Sequence, residues 1–129
     1  MWPPPLLRDR PRAVQVFLAV ILPVLFGAVC GYLLGLNGIA YDNLTLLGVL
    51  GGINAGYEHM GAREGLVRGV VGGALFALAI VVVHELTGKA PEADLPASLG
   101  VMAVIYTVLG TAFGALGGVL RRRAEHRTT

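Results

Sequence analysis

Hydrophobic and polar positions divide the chain into four apolar stretches separated by short polar segments. A helix needs about 20 mainly apolar residues to cross the hydrocarbon core of a bilayer, so stretches of this kind are typical of membrane spans. The pattern predicts spans over about residues 14–36, 44–60, 66–86 and 96–120. We therefore predict an all-α, polytopic membrane protein built as an antiparallel bundle of four transmembrane helices.

Each predicted span carries a glycine ladder, in which glycines follow the pattern Gly-x-x-x-Gly-x-x-x-Gly. Residues four apart lie on one face of a helix, so each ladder is a stripe without side chains. In lipid, such stripes let two helix backbones approach closely and pack by van der Waals contact. The predicted helix-packing residues are Gly27, Gly31, Gly35, Gly48, Gly52, Gly56, Gly61, Gly65, Gly69, Gly73, Gly110, Gly114 and Gly118.

The second span has the shortest apolar core, which runs from about Leu44 to Tyr57. A helix of that length rises only about 21 Å, whereas the hydrocarbon core is about 30 Å thick. A re-entrant segment is therefore one interpretation. The other is a spanning helix that continues through Glu58 and His59 into the headgroups, or that lies in locally thinned bilayer.

The placement of basic residues favours the spanning interpretation. With four spans and a cytoplasmic N-terminus, nine arginines lie inside and only Lys89 lies outside, as the positive-inside rule expects. A re-entrant second span would leave one of the two basic termini outside. We therefore predict that both termini are cytoplasmic, with a tail over residues 1–12, one transmembrane domain over residues 13–121 and a basic tail over residues 122–129.

Composition agrees with a membrane protein, because 55% of the residues are hydrophobic, 14% are charged and the mean hydropathy is +0.71. A soluble domain usually has about a quarter charged residues. The single Cys30 allows no intrachain disulfide. Gly, Ala, Val, Leu and Arg are frequent while Lys is almost absent, which is typical of a GC-rich bacterial genome. A bacterial plasma membrane is therefore the expected location.

The densest polar cluster lies between the second and third spans and contains Glu58, His59, Arg63, Glu64 and Arg68. In one interpretation Arg63 and Arg68 bind a phosphate or a lipid headgroup, with Glu58 and His59 as acid and base. In the other the cluster is an interfacial turn, in which Glu64 and Arg68 form an i,i+4 pair. The spacing of His59 and Glu64, with no second histidine nearby, predicts no metal site. No cofactor motif is present.

Polar side chains near the middle of the spans are few: Asn54, Tyr106, Thr107 and Thr111. No ionisable residue lies near the middle of a span, which disfavours a proton-coupled or ion-coupled carrier. We expect Asn54 to form a cross-helix hydrogen bond near Tyr106 or Thr111. The alternative is that these four residues line a narrow polar pore.

The C-terminal end carries the consecutive arginines Arg121, Arg122 and Arg123. Each basic residue near an anionic leaflet contributes about 1 kcal/mol of membrane binding. We therefore expect these three residues to bind anionic lipids at the cytoplasmic face. Nucleic acid is not an expected partner.

The sequence contains no Ser/His/Asp, phosphate-binding or zinc pattern, so it does not predict an enzyme. Its loops are short, and recognition must therefore take place largely within the bilayer. We predict a non-catalytic protein that acts through glycine-mediated helix packing, as a homo-oligomer or as an accessory subunit of a membrane assembly. One alternative is a homo-oligomeric channel or facilitator for a small solute. Another is an enzyme that acts on lipid headgroups at the hairpin between the second and third spans.

Overall fold

The computed structural model of the chain describes residues 5–91 and 98–128. A short 3-10 turn, Leu7–Asp9, precedes the first long helix. In these two ranges most residues are helical and none lies in a strand, which confirms the all-α prediction there. The long helices are α1 (Arg12–Leu34), α2 (Gly38–Gly56), α3 (Ala62–Thr87) and α4 (Leu99–Thr128).

Three of these helices, α1, α3 and α4, are long and apolar enough to cross a membrane. They agree with a multi-pass membrane protein. Helix α2 does not reach the same hydropathy, because Asp42, Asn43, Thr45 and Asn54 interrupt its apolar residues. The prediction of a fourth span therefore stays a prediction. The predicted start of the last span, at residue 96, lies outside the described residues.

Helix α2 is longer than the apolar core of the second predicted span. The additional residues come before that core, whereas the prediction placed them after it. The helix starts at Gly38, because the side chain of Asn37 caps it by accepting a hydrogen bond from the N–H of Ala40 at 3.1 Å. It ends at Gly56, so the predicted continuation through residues 58 and 59 does not occur. Residues 57–61 form a turn instead. The 19 residues of α2 rise about 28 Å, close to the thickness of a hydrocarbon core.

One end of the bundle joins three parts of the chain that are distant in sequence. The N–H of Leu7 donates to the carbonyl of Glu58 at 2.8 Å, and the N–H of Gly61 donates to the carbonyl of Gly118 at 3.0 Å. The segment before α1, the turn between α2 and α3, and the last part of α4 therefore lie together. This end, hereafter the basic end, carries most of the arginines.

The described part of the segment before α1, residues 5–11, contacts the bundle. Leu6 and Leu7 are buried against the bundle. Arg10 forms an ion pair with Glu58 at 2.8 Å, which holds the same segment to the turn after α2. At the other end of the chain, α4 continues without a break through most of the predicted basic tail.

Helices α3 and α4 approach each other through glycines. A Cβ atom added at Gly65 would overlap the carbonyl oxygen of Gly114, and one added at Gly69 would overlap that of Gly110. A Cβ at Gly118 would likewise overlap the carbonyl oxygen of Gly61. Any side chain at these positions would push the two backbones apart, so this seam depends on glycine.

The other glycine ladders meet different neighbours. In α1, a Cβ at Gly27 would overlap the backbone of Phe76 in α3, whereas one at Gly35 would meet only side chains, the nearest of them that of Lys89 at 3.0 Å. In α2, Gly48 makes room for the rings of Phe26 and Phe76 rather than for a backbone. Close backbone packing therefore involves every glycine of the ladder in α4, but only some glycines of the other three ladders.

Candidate functional site

A cavity of about 340 Å³ lies between α1, α2 and α3. Leu22 and Phe26 of α1 and Leu47 of α2 give it apolar walls. On α3 it is bordered by Gly69, Gly72 and Gly73, and Phe76 follows about one turn later. Of these glycines, Gly72 is the one at which an added Cβ would meet no backbone, only Nη1 of Arg68. The polar residues that border it are Asn54, Glu58, Arg68 and Tyr106.

Arg68 is the buried charge of this cavity. Only 8% of the residue is exposed, although it lies in α3, one of the three helices able to span the membrane. Its Nη2 donates a hydrogen bond to the backbone carbonyl of Leu18 at 2.7 Å. Its Nε is buried and has no hydrogen-bond partner among the described residues. A charged group held in this way is costly, and such groups inside spans commonly mark functional sites.

The Leu18 carbonyl is available to Arg68 because of the way α1 is built. Residues Phe17–Ile21 form a π-helical turn, in which the N–H of Leu22 donates to the carbonyl of Phe17. With the same i,i+5 spacing, the donor to the Leu18 carbonyl would be the N–H of residue 23. That residue is Pro23, which has no N–H. Neighbouring groups usually satisfy a carbonyl freed by a proline in a membrane helix. Here Arg68 satisfies it from α3.

The predicted headgroup site is divided between two places. Glu58 and Arg68 border the cavity, whereas His59, Arg63 and Glu64 border a separate open groove that Arg68 also reaches. The expected ion pair between Glu64 and Arg68 does not form. The carboxylate of Glu64 lies 3.9 Å from Nδ1 of His59 instead.

Glu58 and His59, the acid and base suggested for an enzyme, have different surroundings. The carboxylate of Glu58 is bound by Arg10. Burial lowers the pKa of His59 below 6.5, and the charge of Arg68 lowers it further. The Nε2 atom of His59 is buried without a hydrogen-bond partner among the described residues.

The four polar residues predicted near the middle of the spans do not form one cluster. Thr107 and Thr111 each donate to a backbone carbonyl four residues earlier in α4, at 2.8 Å. Tyr106 shares a hydrogen bond of 3.0 Å with Tyr41. Asn54 is exposed and makes no hydrogen bond to a described residue, because it lies on the side of α2 that faces away from α4. The expected bond between Asn54 and α4 is therefore absent.

Tyr41 is the polar residue that the sequence analysis missed. Only 1% of Tyr41 is exposed. Besides the hydrogen bond that it shares with Tyr106, its hydroxyl donates to the sulfur of Met102 at 3.2 Å. A helical projection would have found it, since Tyr41 and Thr45 share the face of α2 that carries Gly52 and Gly56.

The three consecutive arginines of α4 have different surroundings. Arg121 is 3% exposed, and it donates to Glu125 at 2.9 Å and to the carbonyl of Tyr57 at 3.0 Å. It therefore closes the basic end of the bundle rather than facing lipid. Arg122 and Arg123 are exposed and border an open basic groove, so the expected contact with anionic lipid falls to these two.

The chain matches no protein-family model, no curated protein and no solved structure at a significant level. Its function must therefore be inferred from the geometry of its own residues.

Proposed function

We propose that the protein is a non-catalytic component of a membrane assembly, which associates with a second copy of itself or with another membrane protein through the outer face of α2. This outer face consists of Asn43, Leu46, Leu47, Leu50 and Asn54, all of which are exposed. The observation that carries the proposal is Asn54, a carboxamide that is exposed on an otherwise apolar helix surface and has no hydrogen-bond partner among the described residues.

The energetics of a polar side chain in lipid support this proposal. An amide without hydrogen bonds in apolar surroundings costs about 2 kcal/mol or more, and a cross-helix hydrogen bond recovers about 0.6–2 kcal/mol. Asn43 and Asn54 are two such groups, about three turns apart on one face of α2, with exposed leucines between them. A partner helix that covers this face would bond both amides and shield α2, which is not among the described helices that are apolar enough to cross a membrane by themselves.

The glycine ladders support association less directly than their number suggests. Most of their glycines already face another helix of the same chain. Gly51 and Gly100 are the described helical glycines at which an added Cβ would meet nothing within 4 Å, and both are exposed. The recognition surface therefore rests on the polar and apolar pattern of α2 and not on an unused ladder.

The native mass of the protein in a mild detergent or a polymer nanodisc tests the proposal. We expect a discrete homo-oligomer or a complex with a second membrane protein. Leu50→Trp, on the outer face of α2, should disrupt that species. Val108→Trp is the matched control, because it adds the same bulk at an exposed position of α4. A monomer at all concentrations, extracted without a partner, would contradict the proposal.

A further inference from the structure

The cavity beside Arg68 has the properties of a ligand site that the association proposal does not use. We propose that it binds one anionic lipid, with the acyl chain along the glycines of α3 and an anionic headgroup oxygen on the guanidinium of Arg68. The cavity shares Leu47 and Asn54 with the outer face of α2, but the charge that the inference uses, Arg68, and the position that tests it, Gly72, lie in α3.

The charge of Arg68 is the first reason. No described carboxylate lies within 4 Å of its guanidinium. Glu58 acts on the charge of Arg68 from farther away and is paired with Arg10, and Glu64 lies near His59. The Leu18 carbonyl satisfies one of its N–H groups but supplies no negative charge. Its Nε remains without a partner although the residue is more than nine-tenths buried. The Nη1 atom lies beside Gly72, which borders the cavity, and an anionic oxygen there would accept a charge-assisted hydrogen bond.

The shape of the cavity is the second reason. From Arg68 to Phe76 it follows α3 for about 12 Å, past the side-chain-free positions Gly69, Gly72 and Gly73. Leu22 and Leu47, on its two flanking helices, are both exposed, so the cavity opens sideways toward the surface that faces lipid. A molecule with a long apolar chain can enter from the bilayer without crossing water.

The depth of Arg68 is the third reason. It lies about 9 Å along α3 from Ala62, near the boundary between headgroups and hydrocarbon if α3 crosses a membrane of about 40–45 Å. A lipid in the adjacent leaflet presents its anionic group at this level and its chain deeper.

Gly72 provides a way to block the cavity without touching a backbone. A Cβ at this position would meet only the Nη1 atom of Arg68, at 3.1 Å, and that atom is at the end of a flexible side chain. Gly72→Leu should therefore fill the cavity and leave the bundle intact. Gly100→Leu is the matched control, because it adds the same side chain where an added Cβ meets nothing within 4 Å.

The experiment is native mass spectrometry of the delipidated full chain with added phosphatidylglycerol or with phosphatidylcholine of the same acyl chains. We expect wild type and Gly100→Leu to retain one phosphatidylglycerol more strongly than phosphatidylcholine. Arg68→Gln and Gly72→Leu should weaken that retention roughly tenfold or more, the effect of losing one charge-assisted hydrogen bond. Arg68→Lys, which keeps the charge, should bind better than Arg68→Gln.

Three results would overturn the inference. One is equal retention of the two lipids by wild type. Another is unchanged retention of phosphatidylglycerol in a folded Gly72→Leu protein. The third is full displacement of the lipid by inorganic phosphate, which would indicate a site for a free anion. Leu50→Trp separates the two proposals, because it should alter the oligomeric mass and leave lipid retention unchanged.

Discussion

The guanidinium of Arg68 and the backbone carbonyl of Leu18 are joined by a hydrogen bond of 2.7 Å that exists because Pro23 cannot donate one. The bond ties the π-helical turn of α1 to α3 across 50 residues of sequence. It also fixes the guanidinium at the cavity.

Pro23 and Arg68 should therefore be energetically coupled. Arg68→Met leaves the Leu18 carbonyl unpaired in the wild-type background, whereas in Pro23→Ala the new N–H of residue 23 can satisfy it. We expect the destabilisation that Arg68→Met causes to be smaller in the Pro23→Ala background than in wild type, by at least about 1 kcal/mol. Detergent-based unfolding of the double-mutant cycle measures this difference. Arg63→Met, at an exposed position of α3, is the control, and strictly additive effects would contradict the coupling.

The seam between α3 and α4 should tolerate no side chain. A Cβ at Gly114 would overlap the carbonyl oxygen of Gly65, so we expect Gly114→Ala to cost about 1–3 kcal/mol through overpacking. Gly100→Ala in the same helix should be neutral or stabilising, by up to about 1 kcal/mol. Thermal unfolding in detergent compares the two. Equal melting temperatures for the two variants would show that the helices do not approach this closely.

The hydroxyl pair of Tyr41 and Tyr106 should contribute measurably to stability. Tyr41→Phe removes a buried donor and leaves the Tyr106 hydroxyl without this partner, so we expect a loss of about 1 kcal/mol. Tyr32→Phe removes the same atom from an exposed side chain of α1 and serves as the control. Chemical unfolding of both variants checks the prediction, and a loss of equal size in Tyr32→Phe would contradict it.

His59 should make the stability of the fold depend on pH. Burial and the charge of Arg68 hold its pKa below 6.5, so below that pH the unfolded chain binds a proton more readily than the folded one. The free energy of unfolding should therefore fall as the pH decreases from about 6.5 toward the lower pKa of His59 in the folded state. Above pH 6.5 this histidine should not lower it. His59→Gln should flatten this part of a plot of melting temperature against pH. His126→Gln, at an exposed position, controls for the loss of a histidine as such.

The helices that the sequence predicts best are those whose apolar runs are long. The predicted span over residues 66–86 agrees closely with α3, Ala62–Thr87, because a long and mainly apolar run leaves little choice of structure. Helix α2 was harder to predict. Its start depends on the Asn37 cap rather than on hydropathy, and its end depends on the turn that pairs Gly61 with α4.

The surroundings of Arg68 could not have been predicted from the spacing of charges. The i,i+4 spacing correctly makes Glu64 a neighbour of Arg68 along α3. It gives no information about the carbonyl of Leu18, which lies on another helix. That acceptor exists only because a π-helical turn and a proline coincide in α1. By contrast, the inward position of Tyr41 follows from helical periodicity that was available in the sequence.

The meeting of the segment before α1, the turn after α2 and the last part of α4 has a consequence for biosynthesis. A ribosome releases the N-terminal part of a chain first. Helix α1 therefore enters the bilayer with its Leu18 carbonyl unpaired, and it remains so until residue 68 has been made. The glycine seam closes only when the final helix arrives. A nascent chain interrupted before α4 would leave the Tyr41 hydroxyl without Met102 and Tyr106, and the glycine face of α3 without its neighbour, so these contacts form only in the longer chain.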